Sequence, residues 1–242
     1  AFSRLGLKIG YLGVIGKDEY GDKVIKLLKK ENVNFIGNRN GNSGVSIIID
    51  SREHERTVFT YKGINDNLKT YPRINTKWLY FSSMLNKSLK TQIRLARELI
   101  SRDLVKLAFN PSSYLIKKKP KSVKIILRMC TILVLNKEES CLLVKNGNLE
   151  KLRKLGPEIV VVTNKDKAIE CYDGRVKYKI KPHKVKVVER TGAGDAFASG
   201  FVAGIVKNLS IEESLKIALK NSENVLRGYG AKSNLLRWKD VK

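Results

Sequence analysis

The residues best suited to chemistry form one short run, in which Gly192, Ala193, Gly194 and Asp195 lead directly into an apolar segment rich in small residues. A Gly-Ala-Gly turn carries little side chain, so its backbone N–H groups can face a ligand, and a helix that begins there adds its positive dipole end. An aspartate in the first turn can accept the proton of an attacking hydroxyl. The run therefore predicts an anion hole beside a base, suited to phosphoryl transfer to an alcohol.

A simpler interpretation of the same run is a helix start without chemistry, because glycine often precedes helices and aspartate often caps them. Two other phosphate-binding patterns fail: Gly16-Lys17 is followed by Asp18 rather than Ser or Thr, and no G-x-G-x-x-G occurs. We interpret Gly16-Lys17-Asp18 as a turn from a strand into a helix, with Asp18 as the N-cap.

The elements that must position this run alternate between apolar β-branched segments and amphipathic segments, which predicts an α/β fold with a mostly parallel central sheet flanked by helices. Strands are predicted over Lys8–Ile15, Trp78–Ser82, Leu104–Phe109, Thr131–Leu135 and Glu158–Thr163. Helices are predicted over Asp22–Lys30, over Leu89–Arg102, and from a capping box at Ser210 and Glu213 to a stop at Gly228 and Gly230.

Two pairs of β-type segments interrupt the alternation. Gly44–Asp50 and Thr57–Tyr61 flank the charged stretch Ser51–Arg56, and a second hairpin is predicted over Lys167–Tyr172 and Arg175–Ile180. The first hairpin is either a lid or a decorative edge. We expect a single domain over residues 1–242 with a small β lid inserted at about residues 36–65.

The composition bounds the class of protein. The 242 residues carry 48 Lys and Arg against 23 Asp and Glu, a formal charge of +25, with 42% hydrophobic and 29% charged residues. These values indicate a folded protein whose basic surface attracts anionic nucleotides and sugar phosphates. The densest basic run, Lys117–Lys121, lacks interleaved aromatic residues, and the other lysines are scattered, so we expect no nucleic-acid partner.

Other site types are disfavoured by the residues present. The three cysteines, Cys130, Cys141 and Cys171, form no C-x-x-C pair, and the two histidines, His54 and His183, are far apart in sequence. We therefore expect a reducing compartment and surface histidines. No apolar run approaches the length of a membrane span, so we expect a cytoplasmic protein without a membrane partner.

A family resemblance decides between the two interpretations of the glycine run. The segment Glu189–Phe201 closely resembles the carboxyl-terminal signature of ribokinase-like carbohydrate kinases, the pfkB family. Three further matches occur in the family's order: Leu5–Gly21 with its early glycine-rich stretch, Gly44–Asn65 with its lid strands, and Asn136 to Glu139 with its Asn-x-x-Glu motif. The resemblance covers nearly the whole chain and favours the lid interpretation of the hairpin.

The resemblance implies roles for the matching residues at the reaction centre. Asp195 would be the base, and the backbone of Gly192, Ala193 and Gly194 would stabilise the transferring phosphoryl group. Asn136 and Glu139 would organise Mg²⁺ through water. For Glu139 the alternative is an ordinary acid at a helix start.

The resemblance also implies a nucleotide site for ATP. The segment Thr163-Asn164-Lys165 would form the nucleotide loop, joined by Thr191, Gly192 and Gly194, and Asn221 would approach the adenine. A monovalent cation is a further candidate. The family commonly has glycine where Lys165 stands, so this loop is expected either to differ in shape or to place a cation near the phosphates.

A second departure concerns the start of the chain. Ala1 falls inside what should be the first helix, so the family's first strand, with its substrate-binding acid, and its Gly-Gly-x-x-x-Asn motif are not found. We expect the chain to be incomplete at its N-terminus or to have lost its main sugar contacts.

The resemblance implies an ATP- and Mg²⁺-dependent kinase of a sugar or nucleoside. Ribose, fructose, a keto-deoxy sugar acid and a nucleoside remain open as substrates. The alternatives are a non-catalytic nucleotide or sugar sensor on the same scaffold and, third, a basic nucleic-acid binder. A homodimer through the lid is a further expectation.

Overall fold

The computed structural model describes residues 1–50 and 56–241, and the chain divides into two compact units. The larger unit comprises Ala1–Lys8, Thr76–Ser83 and the chain from Ile93 onward; the smaller comprises Ile9–Asn75 and Met84–Gln92. The segment predicted as a lid insertion, about residues 36–65, falls entirely within the smaller unit. Residues 51–55, which include His54 and most of the predicted charged stretch, lie outside the described residues.

The described residues of the smaller unit form three two-stranded sheets, one complete α-helix and the first turns of the helix that begins at Asn86. Its elements are β1 (Ile9–Tyr11), β2 (Val14–Ile15), α1 (Glu19–Lys30), β3 (Val33–Phe35), β4 (Asn38–Arg39), β5 (Val45–Asp50) and β6 (Arg56–Tyr61). Strands β1 and β3 pair in parallel, as do β2 and β4, whereas β5 and β6 form the predicted antiparallel hairpin. The predicted N-cap of α1 is confirmed, because the Asp18 carboxylate accepts the Gly21 N–H at 2.8 Å and the Ser43 N–H at 2.6 Å.

The prediction of one continuous strand over Lys8–Ile15 is wrong at its centre, where Leu12 and Gly13 separate β1 from β2. The segment that pairs with it is also divided, because Ile36 and Gly37 separate β3 from β4. Across the break, Ile36 N–H donates to the Tyr11 carbonyl at 3.0 Å, and Asn38 N–H donates to the Gly13 carbonyl at 3.1 Å. A Cβ on Gly37 would overlap the Gly13 carbonyl oxygen. The two backbones approach too closely there for side chains, so the ladder bends.

The larger unit contains a six-stranded sheet, ordered β12-β11-β10-β9-β8-β7. Its strands are β7 (Trp78–Phe81), β8 (Lys106–Phe109), β9 (Ile132–Asn136), β10 (Ile159–Thr163), β11 (Ile169–Tyr172) and β12 (Lys177–Ile180). Strands β7 to β10 are parallel, and β11 and β12 add the predicted second hairpin in antiparallel pairing. The predicted α/β fold with a mostly parallel sheet is confirmed.

Seven further α-helices and the short 3₁₀ helices Gly63–Asp66, Lys145–Gly147 and Trp238–Asp240 complete the described elements. The α-helices are α2 (Asn86–Asp103), α3 (Ser113–Lys118), α4 (Pro120–Leu127), α5 (Lys137–Leu143), α6 (Leu149–Arg153), α7 (Ala193–Val206) and α8 (Ile211–Leu226). The predicted capping box of α8 is confirmed: Ser210 N–H donates to Glu213 Oε2 at 2.8 Å, and Glu213 N–H donates to Ser210 Oγ at 3.2 Å. Among the described residues no helix is both long and apolar enough to span a bilayer.

Helix α7 packs closely on α8 and on the sheet. Phe197 and Phe201 of α7 are buried in one apolar cluster with Ile132 and Val161 of the sheet. On the side toward α8, a Cβ on Gly200 would lie 2.8 Å from Ala218 Cα. The glycine therefore sets the separation of the two helices, and that separation fixes where the start of α7 lies.

We expect Gly200→Ala to destabilise the protein by about 1–3 kcal/mol, because the methyl group has no space between α7 and α8. Gly194→Ala in the same helix is the matched control, since no heavy atom lies within 4 Å of its added Cβ. Thermal unfolding should show a lower Tm for Gly200→Ala and a Tm at or above that of the wild type for Gly194→Ala. Equal melting of the two variants would contradict the close packing.

Candidate active site

Helix α7 begins at a left-handed glycine. Gly192 is the N-cap with φ 84° and ψ −6°, and its carbonyl accepts the Ala196 N–H at 2.8 Å. A Cβ on Gly192 would overlap the Ala231 carbonyl oxygen, so the position combines a positive φ with a close backbone approach, and both favour glycine. Gly192, as the N-cap residue, supplies no side-chain hydrogen bond to the first turn of α7. The start of this helix can therefore offer N–H groups and its positive dipole end to an anion.

Asp195 lies in the first turn of α7 and is exposed to solvent. It lines a cavity of about 320 Å³ whose other lining residues come from α7, from β7, from the carboxyl-terminal segment and from the first residue of the chain. They are Ala196, Ser199, Tyr80, Ala231, Lys232, Leu235 and Ala1. A cavity of this size can hold a small molecule. The predicted base is therefore open to a concave surface.

Two side chains at the cavity, Asp195 and Tyr80, have raised pKa values. Partial desolvation by the surrounding protein raises the pKa of the exposed Asp195 carboxyl above its ordinary value. Burial, and secondarily the negative charge of Asp195, raise the pKa of the Tyr80 phenol. The Tyr80 hydroxyl therefore stays protonated at neutral pH, and it donates a long hydrogen bond of 3.5 Å to Asn110 Oδ1.

The backbone around Asp195 is held by a neighbouring hydroxyl. Ser199 Oγ lies 2.7 Å from the Asp195 carbonyl oxygen and 3.1 Å from the Ala196 carbonyl oxygen. A serine that bonds back to the preceding turn satisfies carbonyl groups without leaving the helix. This contact fixes the turn that carries the carboxylate.

The side chain of Asn221, which is predicted to approach the adenine, faces the protein interior, and its contact with adenine stays a prediction. Its side chain is 0% exposed and belongs to α8. Asn221 Nδ2 donates to the Ala196 carbonyl at 2.8 Å, and Leu236 N–H donates to Asn221 Oδ1 at 3.0 Å. The amide therefore ties the first turn of α7 to the carboxyl-terminal segment.

Asn136 and Glu139 form the capping box of α5 at the carboxyl end of β9. Glu139 N–H donates to Asn136 Oδ1 at 2.8 Å, and Asn136 N–H donates to Glu139 Oε2 at 2.9 Å. Glu139 is 8% exposed, and burial raises its pKa although hydrogen bonds from Asn136 and Ser113 oppose the shift. The ordinary helix-start role of Glu139 is thus present in the structure.

The donor set of the same pair, an amide oxygen and a carboxylate, consists of oxygen atoms. Mg²⁺ takes oxygen ligands and keeps several waters, so one carboxylate plus substrate phosphates can hold it. The Asn136 and Glu139 side-chain oxygens in the capping box already accept N–H groups, so the pair fits a hydrated ion better than a directly bound one. Within the described residues no group of three or more His, Cys, Asp or Glu side chains could hold a metal ion.

The predicted nucleotide loop follows β10. Thr163 pairs in register with Asn136, so these two residues lie side by side at the carboxyl edge of the sheet. Lys167 N–H donates to the Asn164 carbonyl at 2.8 Å, which closes a turn, and Lys165 within it has φ 49°. The lysine thus adopts the left-handed backbone that glycine favours, and the shape expected of a glycine loop is kept.

The structure groups the predicted residues into two sets. Gly192, Gly194 and Asp195 lie at the start of α7, and of these three only Asp195 lines the cavity. Asn136, Glu139 and Thr163 meet instead at the ends of β9 and β10, and none of them lines the cavity. The polar cavity residues Tyr80, Ser199 and Lys232 were not predicted. Tyr80 stands near the end of a predicted strand, which is the only sequence signal that could have indicated it. His183 is exposed at the surface, as expected.

The family model for pfkB carbohydrate kinases matches residues 1–238, and the chain belongs to this family. An uncharacterised sugar kinase of Archaeoglobus fulgidus is 28% identical over 250 residues, covering 97% of this chain and 98% of the relative. Among solved structures, a nucleoside kinase of Methanocaldococcus jannaschii, a member of the ribokinase family, superimposes with a TM-score of 0.85 at 22% identity, covering 99% of this chain and 81% of that one. A ribokinase of Cryptococcus neoformans in complex with ADP gives 0.83 at 19% identity, covering 99% and 83%. The ribokinase-like fold is thereby shown.

We expect Asn221→Ala to cost about 1–3 kcal/mol of stability for each buried group left without a partner, here the Ala196 carbonyl and the Leu236 N–H. The turn that carries Asp195 loses its tie at the same time, so kcat should fall more than the KM for ATP rises. Asn224→Ala, a half-exposed amide in the same helix, is the control and should leave both properties unchanged. Thermal unfolding and steady-state kinetics measure the two effects. If Asn221→Ala raised the KM for ATP and left the Tm unchanged, the result would support the predicted contact of Asn221 with adenine.

Proposed function

We propose that this chain is an ATP-dependent kinase that transfers a phosphoryl group to a hydroxyl of a sugar or nucleoside. The observation that carries the proposal is the Asp195 carboxylate, which opens to a cavity at the start of α7, where the N-cap residue is a glycine without a capping side chain. Membership of the pfkB family and the similarity to a sugar kinase and a nucleoside kinase support the same chemistry. A sensor without catalysis would not require a carboxylate at that position.

In the proposed reaction the acceptor hydroxyl faces Asp195 and gives its proton to the carboxylate. The hydroxyl oxygen forms a bond to the γ-phosphorus of ATP, while the bond from that phosphorus to the bridging oxygen of ADP breaks. The N–H groups and the positive end of α7 at Gly192, Ala193 and Gly194 stabilise the charge on the transferring group. ADP then leaves with the electron pair of the broken bond.

The remaining residues are proposed to hold the nucleotide and the metal. Asn136 and Glu139 would hold hydrated Mg²⁺, which supplies charge neutralisation on the phosphates when bound. Thr163, Asn164 and Lys165 would contact the nucleotide, with Thr191 at the approach to α7. The exposed Lys165 adds a positive charge that glycine could not supply. A monovalent cation is kept as an additional proposal.

Asp195→Asn removes the proton acceptor and keeps the shape of the side chain, so we expect kcat to fall by about 10²–10⁴ with little change in ATP affinity. In the wild type the acid limb of the pH–rate profile should lie above the ordinary aspartate pKa, because only the ionised base is active and desolvation raises its pKa. A raised native pKa also means that ionising Asp195 lowers stability as pH rises through it. The Asn variant should therefore melt at or above the wild-type temperature at neutral pH.

The variant Glu139→Gln tests the proposed role of Glu139 in holding Mg²⁺ separately from the role of Asp195 as the base. Glutamine can keep the capping box, so stability should change little, but the loss of the carboxylate should raise the Mg²⁺ concentration needed for half-maximal rate. Mg²⁺ titrations of the wild type and both variants test this. Retention of most turnover by Asp195→Asn would overturn the base mechanism, and an unchanged Mg²⁺ dependence of Glu139→Gln would leave that residue as a helix cap alone.

We also propose that the β5–β6 hairpin is a lid and pairs with a second copy of the chain. In its register, Ile47 lies opposite Phe59 and Val45 opposite Tyr61, so these side chains share one face. Ile47, Ile49, Phe59 and Tyr61 are each more than half exposed on that face. A contiguous exposed apolar face is typical of an interaction surface.

Light scattering on the purified protein tests the pairing. Phe59→Asp should convert a dimer into a monomer, because it places a charge at the centre of the apolar face. Thr60→Asp is the control on the opposite face, where Thr60 lies opposite Ser46, and it should leave the dimer intact. A wild type that is monomeric at micromolar concentration would refute this part of the proposal.

The proposed location is the cytoplasm. All three cysteines, Cys130, Cys141 and Cys171, are free, and free thiols are typical of a reducing compartment.

A further inference from the structure

A lysine lines the same cavity as the proposed base. Lys232 contributes to the wall of the cavity of about 320 Å³ that Asp195 also lines, and the other polar side chains of that wall, Tyr80 and Ser199, are uncharged hydroxyls. Among the described residues Lys232 forms no ion pair or hydrogen bond. Lys232 is therefore a side-chain cation at the cavity wall that is not paired with any group of the described residues.

Lys232 and Asp195 do not neutralise each other. No ion pair joins them within the described part of the chain, and the pKa of Asp195 is raised by desolvation, with no nearby cation acting to lower it. The two charged groups thus line one cavity without direct contact. A molecule bound there meets a proton acceptor at one place and an ammonium group at another.

The backbone that carries Lys232 is held on both sides. Gly230 N–H donates to Glu189 Oε2 at 2.7 Å, and Ser233 closes a turn by donating from its N–H to the Gly230 carbonyl at 3.1 Å and from its Oγ at 2.6 Å. Further along, Leu236 N–H is fixed by the buried Asn221 amide at 3.0 Å. The turn therefore presents Lys232 from a defined position rather than from a free tail.

We propose that Lys232 binds an anionic group, a carboxylate or a phosphate, on the acceptor whose hydroxyl faces Asp195. The proposal rests on the proposed kinase function and names the acceptor class as a sugar acid or a phosphorylated sugar. An ammonium group pairs with carboxylate or phosphate through charge-assisted hydrogen bonds, and a neutral acceptor would leave it unpaired. The phosphates of ATP carry the same chemistry, so the experiment must separate acceptor from nucleotide.

The test compares Lys232→Gln with Lys239→Gln in the whole protein. Lys239 is exposed on the one-turn helix Trp238–Asp240 and does not line the cavity, so it controls for the loss of one positive charge. Calorimetry measures the binding of matched probes, gluconate against glucose and ribose 5-phosphate against ribose. Coupled ADP release measures turnover and the KM for ATP.

We expect the wild type to bind the anionic member of at least one pair more tightly. Lys232→Gln should weaken that binding by about 10- to 100-fold, with the neutral member and the KM for ATP unchanged. Lys239→Gln should behave like the wild type.

Three results would overturn the proposal: no preference for an anionic member in either pair, an undiminished preference in Lys232→Gln, or a loss confined to ATP. Failure of the kinase function is distinguishable, because the wild type would then bind the anionic probe with the lysine dependence described but release no ADP.

Discussion

The left-handed turn at Gly192 is the constraint on which the candidate active site depends. Its φ of 84° reverses the chain immediately before α7, and the absence of a Cβ lets the Ala231 carbonyl lie against the turn. Any other residue would strain the backbone and push the carboxyl-terminal segment away. That segment forms the cavity wall that faces Asp195, so one glycine brings the base and the opposing wall together.

A second constraint is the buried side-chain amide of Asn221, which needs hydrogen-bond partners inside the protein. Asn221 meets it by bonding to the Ala196 carbonyl and the Leu236 N–H, which belong to the two elements that the Gly192 turn brings together. Burial of an amide is favourable only when its donors and acceptors find partners, so the geometry of both elements is coupled. The close approach of α7 and α8 at Gly200 brings the Asn221 side chain of α8 within hydrogen-bonding distance of the Ala196 carbonyl of α7.

The sequence predicted features that depend on local spacing. The four parallel strands of the larger sheet, the N-cap at Asp18 and the capping box of α8 follow from periodicity and short-range hydrogen bonds, and the family resemblance pointed to Asp195. Features that depend on distant segments were missed. The break at Gly13 arises from the backbone of Gly37, and the inward orientation of Asn221 and the approach of Lys232 arise from the return of the carboxyl-terminal segment over α7.

The electrostatics of this protein act at two ranges. A formal charge of +25 would by itself favour ionised carboxylates and lower their pKa values, yet the pKa of Asp195 is raised. Desolvation is the cause of this shift. The fields of distant lysines are screened over a Debye length of about 8 Å at physiological salt. The surface charge can attract anionic substrates toward the protein. Proton transfer depends instead on the few groups that line the cavity. Added salt should therefore slow the association of anionic substrates and leave the pKa of Asp195 largely unchanged.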